Sequence, residues 1–256
     1  MMEWKMQSGG AQQQHGDAHG ASEHRQARGI VLLEGSGAAT ELWLPTLERR
    51  PLSLQGGVAV LKPSGLDNYH LLYASKDTHG TLETALRYHY MNGKPSKRSP
   101  AEIVNAAKSP LDIVPSPLAR EHARYLSGRE ATFEVRFHGQ PIGQHPIALE
   151  TSNGTRWYAR TESNGRITFV LPDDFAQVQA GREFNLPADF VLHVSYTDGD
   201  KSHRTSLSAP YHVNPDYWQS SAAGYATGFA GFMTGIFVLG IAGRRLAEVG
   251  RKERRV

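Results

Sequence analysis

Residues 222–243 run for 22 positions without a charge, and Arg244 and Arg245 close the run at once. A helix of that length spans about 33 Å, enough to cross a hydrocarbon core of about 30 Å. Buried helices of water-facing proteins rarely stay uncharged so long, so the sequence predicts a transmembrane helix over 222–243. The tail 244–256 holds six Arg or Lys against two Glu. Basic flanks mark the cytoplasmic side of a span, which places the C-terminus inside and the bulk of the chain outside. Tyr217 and Trp218 then fall where an interfacial aromatic belt belongs.

Export of that bulk needs a signal. The first fourteen residues, MMEWKMQSGGAQQQ, contain no apolar core, and the run 29–33 is short and stops at Glu34. The expectation is therefore a signal upstream of Met1 or one already removed; a cytoplasmic, tail-anchored arrangement is the alternative. The formal net charge of +3 comes from the tail, because without it 22 basic residues face 23 acidic ones. A near-neutral ectodomain lacks the basic surface that phosphate contacts require, so no nucleic acid is expected as a partner. The chain has no cysteine, which excludes disulfides, thiolate metal sites and cysteine nucleophiles.

Residues 1–28 are rich in Gln, Gly and His and poor in apolar side chains, and are expected to be a disordered, His-containing leader. From Gly29 onward, short apolar or alternating runs at 29–33, 40–44, 57–61, 69–74 and 82–90 predict an N-terminal β region over 29–98. Ser99, Pro100 and Glu102 have the spacing of a capping box with proline at the first helical position, so a helix over about 100–108 is predicted in a linker at 99–110. Beyond it, Ala131, Phe133, Val135 and Phe137 alternate with polar residues, and Phe190, Leu192, Val194 and Tyr196 repeat the scheme with His193 and Ser195 turned outward. Asn153-Gly154 and Asn164-Gly165 stand between the runs 147–151, 156–161 and 166–171, which predicts a three-stranded meander with two-residue type I′ turns. With 111–114, 190–196 and 204–213, about seven strands in 111–214 have the rhythm of an immunoglobulin-like sandwich. The expected fold is mainly β: an Ig-like or prealbumin-like β-sandwich preceded by a second, smaller β region, with one C-terminal transmembrane helix.

The segments 109–115 (SPLDIVP), 125–128, 133–141, 161–165 and 208–211 resemble a family of bacterial periplasmic domains of unassigned function, described as nickel-uptake-accessory-like. Its members carry a PLEIVP strand, a G-K-P turn, a T-D-x-x-G hairpin and a single C-terminal membrane helix. The match covers about 108–243, with a looser one around 68–70 and 87–93. Gln140 stands where the family has Lys, and Glu162 where it has Asp. The resemblance implies a carboxypeptidase-regulatory-like, Ig-class sandwich in the cell envelope, beside nickel or cobalt importers.

Imidazole is a common ligand for nickel, zinc and copper. His15, His19 and His24 could form a loose metal-capturing segment, and the bland alternative is a polar leader that happens to contain histidines. His70, His79, His89 and Met91 form a second candidate group in the first β region, of which His70, His89 and Met91 are the candidate ligands; alternation puts Arg87, His89 and Met91 on one strand face, and packing residues are the alternative. His138, His193 and His203 read as surface histidines. Asp173 and Asp174 after Pro172 read as a turn before a cation site. No nucleophile elbow, zincin or P-loop motif occurs, so catalysis is not expected. Within the anchor, Gly224, Gly228, Gly231 and Gly235 draw one stripe at i, i+4, i+7 and i+11. That stripe suits close helix association, either with a second copy or with a transporter membrane subunit. The sequence therefore leaves two readings: an accessory of divalent metal uptake, or a structural or protein-interaction module of the envelope.

Overall fold

The computed structural model describes residues 1–6, 28–119 and 124–219. The predicted anchor 222–243, its glycine stripe and the tail 244–256 lie outside the described residues. Among the described residues no helix is long and apolar enough to cross a membrane. The chain divides into two compact units, Met1–Ala176 with Leu186–Val213, and Gln177–Asn185 with the residues from Asn214 on.

Among the described residues, all seventeen strands belong to the first unit. The early ones are β1 (Glu3–Met6), β2 (Arg28–Leu33), β3 (Ala39–Trp43), β4 (Arg49–Pro51), β5 (Val58–Leu61), β6 (Leu66–Thr78), β7 (Thr81–Met91) and β8 (Lys94–Pro95). Helix α1 (Pro100–Asn105) separates them from β9 (Leu111–Pro115), β10 (Tyr125–Leu126), β11 (Glu130–Phe137), β12 (Gln140–Pro141) and β13 (Pro146–Thr151). The last are β14 (Arg156–Arg160), β15 (Arg166–Val170), β16 (Ala188–Asp198) and β17 (Lys201–His212). One large sheet runs β14-β13-β16-β17-β7-β6-β3-β4, with β8 and β10 attached to its sides. A smaller sheet, β1-β2-β5, and another built on β11 with β9, β12 and β15 complete the unit.

The large sheet is covered on both faces. Leu71, Leu86, Tyr88, Leu192 and Leu207 meet Ile113, Phe133, Val135, Ile167 and Phe169 of the β11 sheet in one core. Leu72, Ala74, Ala85 and Met91 meet Trp4, Ile30, Leu32, Ala59 and Leu61 of the β1-β2-β5 sheet in the other. Double coverage explains why β7 buries five consecutive residues instead of every second one. It also covers His193, which alternation along β16 turned outward, while Ser195 stays exposed as read.

Several sequence expectations change form here. The regions 29–98 and 111–214 share one sheet, because β7 pairs in parallel with β17 from Ser202↔Thr81 to Ser208↔Arg87. The leader 1–28 is not disordered throughout: β1 lies within it, with Met2 and Trp4 fully buried and Trp4 Nε1 donating to Ala85 O at 3.1 Å. Met2 and Trp4 join the second core, a pairing invisible to composition. The three-strand meander is also broken. β13 and β14 form a hairpin, but β15 pairs with β11 in the opposite sheet, because Ile167 and Phe169 complete the core from that side. The turns are not type I′ either, since among Asn153, Gly154, Asn164 and Gly165 only the two glycines have positive φ.

The capping box forms as read: Ser99 Oγ accepts from Ala101 N, and Glu102 Oε1 accepts from Ser99 N at 3.0 Å. Helix α1 stops short of residue 108 because Lys108 folds back, donating to Val104 O at 2.8 Å and Ala106 O at 2.9 Å. Lys108 also pairs with Asp112 at 2.9 Å, so the last-turn carbonyls are satisfied without further helix.

A buried ion pair ties β7 to β16. Arg87, 1% exposed, places Nη2 2.9 Å from Asp189 Oδ1, and Nη1 donates to Ser208 Oγ and Trp4 O at 3.3 and 3.4 Å. Removing one partner strands a charge in the core, whereas replacing both with apolar groups does not. Asp189→Ala is expected to cost about 3–5 kcal/mol in urea denaturation. The double variant Arg87→Met with Asp189→Leu should recover most of that loss.

Candidate functional site

Strand β14 forms one rim of the large sheet, and among the described residues it pairs only with β13. That pairing orients its backbone. Thr161 N donates to His145 O at 3.0 Å and Thr151 N donates to Thr155 O at 2.9 Å. Antiparallel alternation therefore turns the N–H and C=O of Trp157 and Ala159 toward β13, and those of Arg156, Tyr158 and Arg160 away from it. Side chains alternate across the sheet in the same rhythm. Ala159 packs against the larger core on the side of Ile147 and Leu149, whereas Arg156, Tyr158 and Arg160 share the opposite face. Tyr158 is 73% exposed, and the Trp157 ring is also open to solvent. Arg156 Nη2 lies 3.0 Å from Glu150 Oε2, and Arg160 Nη1 donates to Gln144 O at 2.7 Å. The rim thus offers a row of outward donors and acceptors, two aromatic rings and two anchored guanidinium groups.

The hairpin that presents this rim is held by one carboxylate. Asp174 accepts from Thr151 Oγ1 at 2.6 Å, from Asn153 Nδ2 at 3.2 Å and from the Tyr211 hydroxyl. Partial burial works against its charge, but these hydrogen bonds together outweigh burial and hold the carboxyl below its usual range. Burial, with Asp174 beside it, pushes the Tyr211 phenol well up. Asp174 therefore serves the β13–β14 turn, while Pro172 to Asp174, expected as a turn, run without one. Asn153, which heads a glycosylation-like triplet, has its amide engaged by Asp174 and Tyr211 (3.3 Å).

The histidines fall in three settings. His15, His19 and His24 lie outside the described residues. His70 and His89 are direct partners in the β6–β7 register, and Met91 stands beside them opposite Asn68, so all three share a sheet face, which alternation gives for His89 and Met91 alone. The arrangement does not fit a metal: His70 is fully buried, its Nδ1 lies 3.0 Å from Asn68 O and its Nε2 2.6 Å from Ser64 Oγ, and Met91 belongs to the second core. A metal there would have to displace both hydrogen bonds. Among the described residues, no group of three or more His, Asp or Glu is placed to hold an ion. His138 is exposed on a turn, in line with the surface reading, but His203 is not a surface residue. It is buried against Phe137, with ring centroids 5.3 Å apart, and its Nδ1 has no hydrogen-bond partner. The rim itself was legible only as a strand at 156–161. Its signal is the contrast between the apolar alternation of β13 and two arginines bracketing two aromatics in β14.

Burial lowers the affinity of His70 for a proton; the carbonyl of Asn68 opposes that effect and the Arg50 charge adds to it. Burial does the same to His193. The fold favours neutral imidazole at both, so their contribution is complete above the ordinary imidazole range and is lost as pH falls through the depressed values. The thermal midpoint should drop on acidification from about pH 7 to about pH 5. His70→Gln should flatten that slope, and an unchanged slope would refute the assignment.

No family model and no curated protein matches the chain. Among solved structures it is similar to a Ca²⁺-stabilized adhesin that helps an Antarctic bacterium bind ice, at 12% identity and a TM-score of 0.27, over 73% of this chain and 43% of that one. The chain thus spans less than half of that adhesin chain. It is also similar to the D0-D1 domain of Intimin, at 9% identity and a TM-score of 0.25, over 72% of this chain and 90% of that one. The D00-D0 domain of Intimin matches at 12% identity and a TM-score of 0.24, over 82% and 99%. Scores this low carry no inference about role.

Proposed function

We propose that this protein is a single-pass, membrane-anchored module of the bacterial cell envelope, periplasmic in bulk with its C-terminus in the cytoplasm, that binds an extended partner segment along β14. It holds a partner rather than transforming a substrate. The observation that carries this reading is the open rim: outward backbone groups at Arg156, Tyr158 and Arg160 are what an added strand pairs with, and Trp157 and Tyr158 supply contact area. A second copy makes a poor occupant. Antiparallel self-pairing centred on Tyr158 sets Arg156 opposite Arg160, and like charges directly opposite are unfavourable. The facing sheets of the second half support the finer reading as an Ig-like sandwich. The anchor reading rests on the run 222–243 and its basic flank.

A photo-crosslinking residue at Tyr158 in intact cells should capture a defined envelope partner. Tyr158→Pro should abolish capture by another crosslinker placed at Arg160, while leaving the β13 ladder intact, because the lost N–H faces away from β13. Absence of any adduct from the rim, with the protein present in the membrane fraction, would refute the reading.

A metal-uptake accessory role is a second reading, supported by His15, His19 and His24 and by the nickel-uptake-like resemblance of 108–243. It predicts that the protein takes up Ni²⁺ or Co²⁺ in calorimetry and loses the heat when those three histidines become Ala. Silence toward both ions would remove it.

A further inference from the structure

The second unit contains an ordered loop that holds apolar side chains out into solvent. Buried Asn185 closes it: its Oδ1 accepts from Gln179 N at 3.0 Å, and its Nδ2 donates to Gln179 O and Gly181 O, each at 2.6 Å. Gly181 takes φ +103°, a conformation that favours glycine, and leads into the 3₁₀ turn Arg182–Phe184. The hydrogen bonds fix the backbone while Phe184 stays 60% exposed and Val178 40%. Phe184 and Val178 belong to neither core, and apolar groups held together on one fixed loop suit an interaction surface.

The same unit includes the 3₁₀ turn Pro215–Tyr217, where Tyr217 is 47% exposed. Only residues 219–221 separate Trp218 from the uncharged run 222–243. However those residues are arranged, four residue steps reach at most about 14 Å. Trp218 is therefore tethered within about that distance of the point where the run enters a bilayer. Aromatic and aliphatic groups beside an arginine, Arg182, suit the headgroup zone, where rings sit among acyl ends and guanidinium meets phosphate.

We infer that the loop closed by Asn185 docks on the lipid surface beside the anchor, with Val178, Phe184 and Tyr217 entering the headgroup–acyl boundary. This rests on the proposed reading of 222–243 as a membrane span. The bilayer is the occupant the chain itself supplies, because the anchor holds this unit at a membrane whatever other partner is present.

The absence of cysteine makes single labels specific. Full-length Phe184→Cys, Val178→Cys, Phe232→Cys and Tyr158→Cys, each carrying a small environment-sensitive fluorophore, would be reconstituted in phosphatidylcholine vesicles containing lipids brominated near the headgroup or near the chain ends. Phe232 should be quenched most by deep bromines, and Phe184 and Val178 by shallow ones. Quenching at Phe232 with none at Phe184 or Val178 overturns the loop's lipid contact and leaves the anchor standing. No quenching at Phe232 overturns the anchor and the loop inference together. Equal shallow quenching at Tyr158 shows general adsorption and overturns the assignment to this loop. Two independent loop positions keep the result readable if one label perturbs folding.

Discussion

The parallel pairing of β7 with β17 is the constraint on which the rest of the first unit depends. It joins strands more than a hundred residues apart and makes β6, β7 and β17 the middle of a sheet with both faces covered. Parallel neighbours cannot be joined by a tight turn, so the intervening chain builds the β11 sheet that covers one face. The β1-β2-β5 sheet covers the other. Leu71 with Leu72 and Ala85 with Leu86, successive residues with no exposure at all, mark where the two cores meet through the sheet.

Double coverage explains the polar groups found deep in the fold. Arg87 and Asp189 face the second core, and their bonds to each other, to Ser208 and to the backbone of Trp4 offset the loss of water. Lys108 and Asp112 do the same beside α1, where burial pushes the Asp112 carboxyl up and the Lys108 ammonium opposes it. The two rims of the large sheet are managed differently. At one end β4 is three residues long and closes with Pro51, and Arg49 stacks 3.9 Å over the Trp43 ring, so a further strand has little to pair with. At the other end β14 offers five residues with aromatic side chains exposed. That asymmetry separates a blunted edge from a usable one.

Much of the local structure was legible. The alternation of Ala131, Phe133 and Val135 marked β11, and the capping box at Ser99 marked the start of α1, because both signals lie within one turn or one strand. The hairpin at Asn153-Gly154 was also readable, though its turn geometry was not, since Asn153 keeps negative φ once Asp174 holds the Thr151 and Asn153 side chains. The departure of β15 to the opposite sheet left no local trace. Arg166 to Val170 alternates as well in one sheet as in the other, and only the vacant place beside β11 decides. Among the candidate sites, the shared face of His89 and Met91 followed from period-two alternation, whereas the place of His70 opposite His89 depended on the β6–β7 register and its burial on a face covered by the β1-β2-β5 sheet.

Sequence alone determined the β character, the positions of most strands, the helix start, the near-neutral charge before the tail and the long uncharged run near the C-terminus. Each of these is a property of neighbouring residues or of composition. Tertiary structure alone decided which strands pair, that two expected β regions share one sheet, that Trp4 fills a core, and that β14 is left as a rim with Tyr158 turned outward. Those outcomes depend on contacts between segments far apart in the chain, and an alternating strand carries no label for the partner it will find.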